Sequence, residues 1–106
     1  MALYSKVLTA TAEEIYSSIG TTAVTVMYFC NAGSQPTSFY VYAVPSGQLP
    51  DDDRAIYFSI SLVPNDTYVI DNEKMVLENG DKLFAKIASP VTVGTKVVAT
   101  VSAIGV

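Results

Sequence analysis

Apolar residues occur along this chain in short segments that end at turn-forming residues, about every ten positions. Within the segment 55–63, apolar and polar residues alternate with the period of two that is typical of a half-buried β-strand. The side chains of this segment that we predict to point inward are Ile56, Phe58, Ile60 and Leu62. Those predicted to point outward are Tyr57, Ser59 and Ser61. The pattern indicates an all-β chain.

The segment 23–30 has the clearest strand composition, and it is apolar on both faces. One face is predicted to consist of Val24, Val26, Tyr28 and Cys30. The opposite face is predicted to consist of Thr25, Met27 and Phe29. Strands that are apolar on both sides are typical of sheet centres with a layer on each face, so this strand is expected to be central and covered on both sides.

Further strands are predicted at 39–44, 82–88 and 96–104. In the first of these, one face consists of Phe39, Val41 and Ala43, and the other of Tyr40, Tyr42 and Val44. The inward sets of the other two are predicted to be Leu83, Ala85 and Ile87, and Val97, Ala99, Val101 and Ala103. Short strands are predicted at 67–70 and 74–77, a short piece at 91–93, and either a strand or one helical turn at 12–18.

Asn79 and Gly80 give the sharpest turn signal, because both residues tolerate the positive φ that a type I′ hairpin turn requires. Tight turns make neighbouring strands antiparallel. Seven or eight strands in one domain that spans 1–106 therefore predict an antiparallel β-sandwich of Ig-like or jelly-roll type. A small closed barrel is the alternative. Residues 1–10 are either an N-terminal arm or an edge strand.

Composition points toward association. Half of the 106 residues are hydrophobic and only 15% are charged, against about 25% in ordinary soluble domains. The surplus apolar surface favours a subunit interface, with a well-filled monomer core as the alternative. No apolar run reaches the roughly 20 residues of a membrane helix, so no membrane partner is expected. The N-terminus does not resemble a secretory signal, which indicates synthesis and use in the cytosol.

The formal net charge is −4, and the six basic residues are scattered along the chain. Nucleic-acid binding needs a clustered basic face, so no nucleic-acid partner is expected. The chain has no histidine and a single cysteine, Cys30, which is predicted to be a small buried hydrophobic residue. Asp51, Asp52 and Asp53 suggest a cation site, but adjacent carboxylates point different ways and favour a solvated loop. We expect no enzyme activity, no metal and no cofactor.

Two groups of residues are candidate interface residues. Tyrosine is a large, stiff contact residue with one polar end, and three of the seven tyrosines lie opposite the most apolar faces of their strands. These three are Tyr40, Tyr42 and Tyr57. The second group is apolar and lies in the N-terminal segment; it comprises Leu3, Tyr4, Val7 and Leu8.

Four segments together resemble a known class of protein. The segments 23–31, 41–47, 65–71 and 76–83, in this order and spacing, resemble small virion structural proteins of tailed bacteriophages, including cyanophage-type particles. The resemblance covers about residues 12–104 and consists of strand and turn patterns. It implies a β-sandwich module that decorates the capsid or forms part of the tail, and it transfers no catalytic residue.

The resemblance and the composition together predict a capsid decoration (cement) protein that assembles into virions in the host cytoplasm. The implied partners are the major capsid protein or other virion proteins, with further copies of the chain as a homo-oligomer, expected to be a trimer at local three-fold axes. A tail, baseplate or fibre component is the first alternative. A host-surface or glycan-binding module is the second, with the exposed tyrosine faces, including Tyr40 and Tyr42, and the loops 31–38 and 45–54 as its platform.

Overall fold

A computed structural model describes residues 2–71 and 75–105 of the chain. In chain order, the strands of this part are β1 (Ala2–Val7), β2 (Glu13–Ser17), β3 (Thr22–Asn31), β4 (Thr37–Val44), β5 (Ala55–Leu62), β6 (Thr67–Ile70), β7 (Met75–Leu77), β8 (Lys82–Ile87) and β9 (Val97–Gly105). A 3₁₀ turn, Asp52–Arg54, precedes β5. Two antiparallel sheets pack face to face, which confirms the predicted all-β sandwich.

The first sheet has the strand order β1-β9-β3-β6, with β7 also paired to β3, and the second has the order β2-β8-β4-β5. The antiparallel pairs are nested along the chain: β4 pairs with β5, β3 with β6 and β7, β2 with β8, and β1 with β9. This is the connectivity of one long hairpin rolled into two sheets. Of the two predicted connectivities, the structure therefore has the jelly-roll.

The core lies between the two sheets, and the predicted inward faces of β8 and β9 are confirmed. Leu83, Ala85 and Ile87 of β8 are buried, as is the alternating set of β9 that begins at Val97. The aromatic rings of Phe29 on β3 and Phe39 on β4 stack at 4.3 Å between the sheets. Because each of these strands is interior to its sheet, this contact joins the middles of both layers.

The period of two fails within β5, where a bulge changes the facing. Phe39 pairs with Ile60 but Val41 pairs with Tyr57, so Phe58 and Ser59 both lie opposite Tyr40. Ser59 has a φ of 57°, in the left-handed region. The extra residue reverses the alternation, as bulges do.

The predicted inward positions of β5 are therefore partly wrong. Ile60 packs against the core and Leu62 is buried, as predicted, but Ile56 and Phe58 are exposed, the latter by 56%. Tyr57, predicted to point outward, packs against the core instead.

A second bulge changes the facing within β3. Val24 pairs with Ala103 and Val26 with Ser102, which leaves Thr25 as the extra residue. Val24 consequently lies on the buried face together with Met27 and Phe29, contrary to the predicted grouping. The predicted central position of this strand is correct.

The predicted coverage of β3 on both sides is wrong. On its outer face, Tyr28 is exposed and Val26 is only half-buried. Cys30 lies on the same outer face and is also half-buried, so its predicted burial is wrong as well.

The turn at Asn79 and Gly80 is tight but is not a hairpin. The Asp81 N–H donates to the carbonyl oxygen of Glu78 at 3.0 Å, and of the two central residues only Gly80 has a positive φ, at 90°. A type I′ turn needs positive φ at both positions. The flanking strands β7 and β8 belong to different sheets, so the turn carries the chain across the sandwich.

Asn31 joins the β3–β4 connection to the last residue of β5 from a fully buried position at one end of the sandwich. Its Nδ2 donates to the carbonyl oxygens of Gln35 and Leu62 at 2.9 and 3.0 Å. Its Oδ1 accepts from the Gly33 N–H at 3.0 Å. A buried amide with these bonds satisfied holds the β3–β4 connection against the end of β5.

We predict that Phe39→Ala lowers the free energy of unfolding by about 3–5 kcal/mol, because it removes one ring of the stack and leaves a cavity between the sheets. Urea denaturation measures the change. Phe58→Ala is the control, since its ring is largely exposed, and it should cost less than about 1.5 kcal/mol. Equal losses in the two variants would contradict the assigned core.

We also predict that Asn31→Ala lowers the free energy of unfolding by about 2–4 kcal/mol, because it leaves buried backbone groups without partners. Asn79→Ala removes a single bond to the Gly20 N–H at an exposed turn and should cost about 1 kcal/mol. Thermal unfolding followed by circular dichroism measures both. A smaller loss of stability for the Asn31 variant than for the Asn79 variant would contradict the structural role of the Asn31 hydrogen bonds.

Candidate functional site

The outer face of the first sheet, which we call the first face, is formed by the outward-pointing residues of β1, β9, β3, β6 and β7. Strand register places them in rows across the sheet. The exposed apolar members are Leu3, Val7, Tyr28, Val69, Val76 and Ile104. The remaining members are Ser5, Ala23, Val26, Cys30, Thr67, Val98, Thr100 and Ser102. None of these side chains is charged.

The first face is unusual because several of its most exposed side chains are apolar. Leu3 is 69% exposed and Val76 is 60% exposed, at opposite margins of the sheet. Tyr28 lies between them, in a row with Thr100 and Val69. Contiguous apolar patches of more than a few hundred Å² are rare on soluble monomers and mark interaction sites.

The outer face of the second sheet, which we call the second face, combines aromatic rings with charges. The rings of Tyr40 and Phe58 meet edge to face at 4.9 Å. Lys86 Nζ lies 5.0 Å from the centre of the Tyr40 ring, a cation–π contact. At the far side of the face, Lys82 and Glu14 form a salt bridge of 3.3 Å.

Tyr42 is two residues after Tyr40 on β4 and therefore belongs to the same face of the strand, yet it is only 2% exposed. The 3₁₀ turn Asp52–Arg54 packs against β4 in this region. The turn is braced by Asp51, whose carboxylate accepts from the Asp53 N–H at 3.1 Å and from the Arg54 guanidinium at 2.6 Å. Sequence patterning could not show that this connection folds back over its own strand.

The three adjacent aspartates are exposed, and their side chains lie in and beside the 3₁₀ turn. Among residues 2–71 and 75–105, no group of three or more acidic, cysteine or histidine side chains lies together in a way that could hold a metal ion. The same part of the chain has no helix long and apolar enough to cross a membrane.

The N-terminal candidate residues divide between three environments. Residues 2–7 form β1, which pairs with β9 at the edge of the first sheet. Leu3 and Val7 point outward on the first face, whereas Leu8 is buried in the core. Tyr4 points toward the second sheet, where its ring meets the buried ring of Tyr16 edge-on at 4.9 Å.

Tyr4 and Tyr16 line a cleft of ≈ 220 Å³ at the open edge of the sandwich, together with Ile19 and Thr22. Lys6 and Glu13 form a 3.8 Å ion pair across the same edge. The structure thus distributes the seven candidate residues: Leu3 and Val7 lie on the first face, Tyr40 on the second, Tyr4 in the cleft, and Leu8, Tyr42 and Tyr57 within the fold.

Sequence patterning missed the first face as a unit. The sequence feature that points to this face is the segment 23–30, which is apolar on both of its sides. A second apolar face on a strand indicates a partner layer, and that layer need not come from the same chain.

Comparison with known proteins gives no relatives: no protein-family model, no curated protein and no solved structure matches this chain.

We predict that Tyr42→Ala lowers the free energy of unfolding by about 3–5 kcal/mol, because its side chain is almost fully buried and truncation leaves a cavity. Tyr40 is two residues away on the same strand and is partly exposed, so Tyr40→Ala should lower the free energy of unfolding by only about 1 kcal/mol. Urea titration followed by circular dichroism compares the two variants. Indistinguishable midpoints would contradict the burial of Tyr42.

Proposed function

We propose that this chain is a structural protein of a tailed-phage virion, specifically a capsid decoration protein that bridges shell subunits. The supporting observation is the pair of adhesive faces on opposite sides of one β-sandwich, one uncharged and apolar and the other aromatic and charged. A bridging protein needs two contact surfaces held at a constant separation, and two packed sheets supply that.

The fold agrees with this proposal. Jelly-rolls build viral capsid proteins, and also lectins and cupins. The resemblance of the segments 23–31, 41–47, 65–71 and 76–83 to virion structural proteins favours the first of these.

The proposal assigns no chemistry and no cofactor to the chain. Nucleophilic and general acid–base catalysis most often rely on histidine, which this sequence lacks. Several carboxylates are already engaged in local structure, such as Asp51 with Arg54 and Asp81 with the Ser46 N–H. The proposed role consists only of binding to other virion proteins.

The second face is the surface we assign to the major capsid protein. Tyr40 and Phe58 supply stiff aromatic area, which is enriched at the centres of protein interfaces. Lys86 lies beside it and the Glu14–Lys82 pair lies at the far side of the same face, where charges set orientation and exclude wrong partners more than they add affinity. Apolar burial contributes about 25 cal/mol per Å², and repetition over many copies raises the free energy needed to separate capsomers.

The same proposal places the mature protein in the virion, assembled in the host cytoplasm. Self-association of copies on the shell belongs to it, because a symmetric shell presents equivalent sites.

We predict that phage particles lacking this protein lose infectivity at lower temperature and under osmotic shock than complete particles, because the shell loses its bridges. Adding the purified protein back should restore resistance, whereas the Tyr40→Ala/Phe58→Ala double variant should not. Val93→Ala, at an exposed position in the β8–β9 connection, is the matched control and should restore it fully. Unchanged survival of particles without the protein would refute the decoration role.

A tail or baseplate role is the alternative within the same class. Quantitative mass spectrometry of purified particles separates the two roles, since a decoration protein is present in numbers comparable to the major capsid protein and a baseplate component in far fewer. In the glycan-binding alternative, the burial of Tyr42 removes one of the two tyrosines of β4 from the platform, which leaves Tyr40 and the loops 31–38 and 45–54.

A further inference from the structure

We propose that the first face binds a second copy of this chain, so that two sandwiches pack sheet to sheet as a two-fold dimer. The inference concerns the isolated protein and does not depend on the proposed virion role. It rests on the charge distribution, the area and the shape of the first face.

The distribution of charge favours a second copy over another partner. The chain has ten acidic and six basic residues, yet none of those within residues 2–71 and 75–105 belongs to the first face. A charged partner would gain no pairing on such a face. Two copies of a chain with net charge −4 would repel through most surfaces, but this face brings no like charges into contact.

The area of the first face matches what a stable pair requires. The five strands of the first sheet, of which β3 is the longest with ten residues, project an area on the order of 500 Å² at a rise of about 3.4 Å per residue and a strand spacing of about 4.8 Å. The accessible surface of a pleated face exceeds its projection. A standard interface buries about 800 Å² on each partner, so complete coverage of this one face is sufficient.

The shape of the face suits sheet-on-sheet packing. Paired sheets lie about 10 Å apart with interdigitating side chains, as the two sheets within this chain already do. Tyr28 supplies the large central side chain, and the smaller Thr100 and Ser5 lie beside it in the same row. Large residues next to small ones allow a two-fold related copy to interlock, with Tyr28 as the aromatic anchor of each partner.

A single self-complementary face closes with two copies. A ring of three subunits needs two different surfaces on each subunit, since its contacts are head to tail. Contacts between first faces alone therefore do not form the trimer that is expected from the family resemblance. The stoichiometry of the purified protein tests this directly.

The experiment is sedimentation equilibrium of the purified chain over a wide concentration range, with four variants. Val69→Glu and Leu3→Glu place a carboxylate on the first face at exposed positions. Phe58→Glu and Val63→Glu make the same change at similarly exposed positions outside it and are the matched controls. Circular dichroism and thermal unfolding establish that each variant is folded.

We expect a reversible dimer for the unmodified chain and for both controls. The two first-face variants should dissociate at concentrations at least about 100-fold higher than the unmodified chain, because pairing buries an unpaired charge. A monomer at every concentration, a trimer, or a first-face variant that associates as tightly as the unmodified chain would overturn the inference. Dissociation by Phe58→Glu alone would assign self-association to the second face and overturn it too.

Discussion

The stack of Phe29 on Phe39 is the contact on which the rest of this fold depends. It joins β3, flanked by β9 in the first sheet, to β4, flanked by β8 in the second. The two strands are consecutive along the chain, and Asn31 holds the connection between them against the end of β5. With both rings fully buried, the facing of each central strand is decided, and the neighbouring strands follow through their hydrogen-bonded registers.

Burying one side of each sheet leaves two outer faces, and these differ because their strands differ in charge. The second sheet exposes Lys82, Lys86 and Glu14 around its aromatic pair. The outer face of the first sheet carries only uncharged side chains among the described residues, centred on Tyr28. A sandwich with two unlike faces can hold two unlike partners at once, and this asymmetry supports both the bridging role and the pairing of copies that we propose.

Sequence patterning failed at positions where the backbone departs from a regular strand. A single inserted residue at Thr25 places Val24 and Val26 on opposite faces, and the bulge at Ser59 turns Tyr57 inward and Phe58 outward. Because side chains alternate with a period of two, one extra residue reverses every later position. Strands β8 and β9 contain no inserted residue, and their inward-pointing side chains were predicted correctly. The candidate residues Tyr42 and Leu8 lie inside the fold because neighbouring segments cover them, which local alternation does not encode.

The sequence by itself determined the approximate positions of most strands and the all-β class, because β-propensity, alternation and turn chemistry act over a few neighbouring residues. Only the tertiary structure decided which strands pair. Asn79 and Gly80 specify a tight turn, yet β7 and β8 on either side of it join different sheets. Strand pairing depends on hydrogen bonds and packing between residues distant along the chain, as in β1 with β9. The uncharged first face exists only once such distant strands lie side by side.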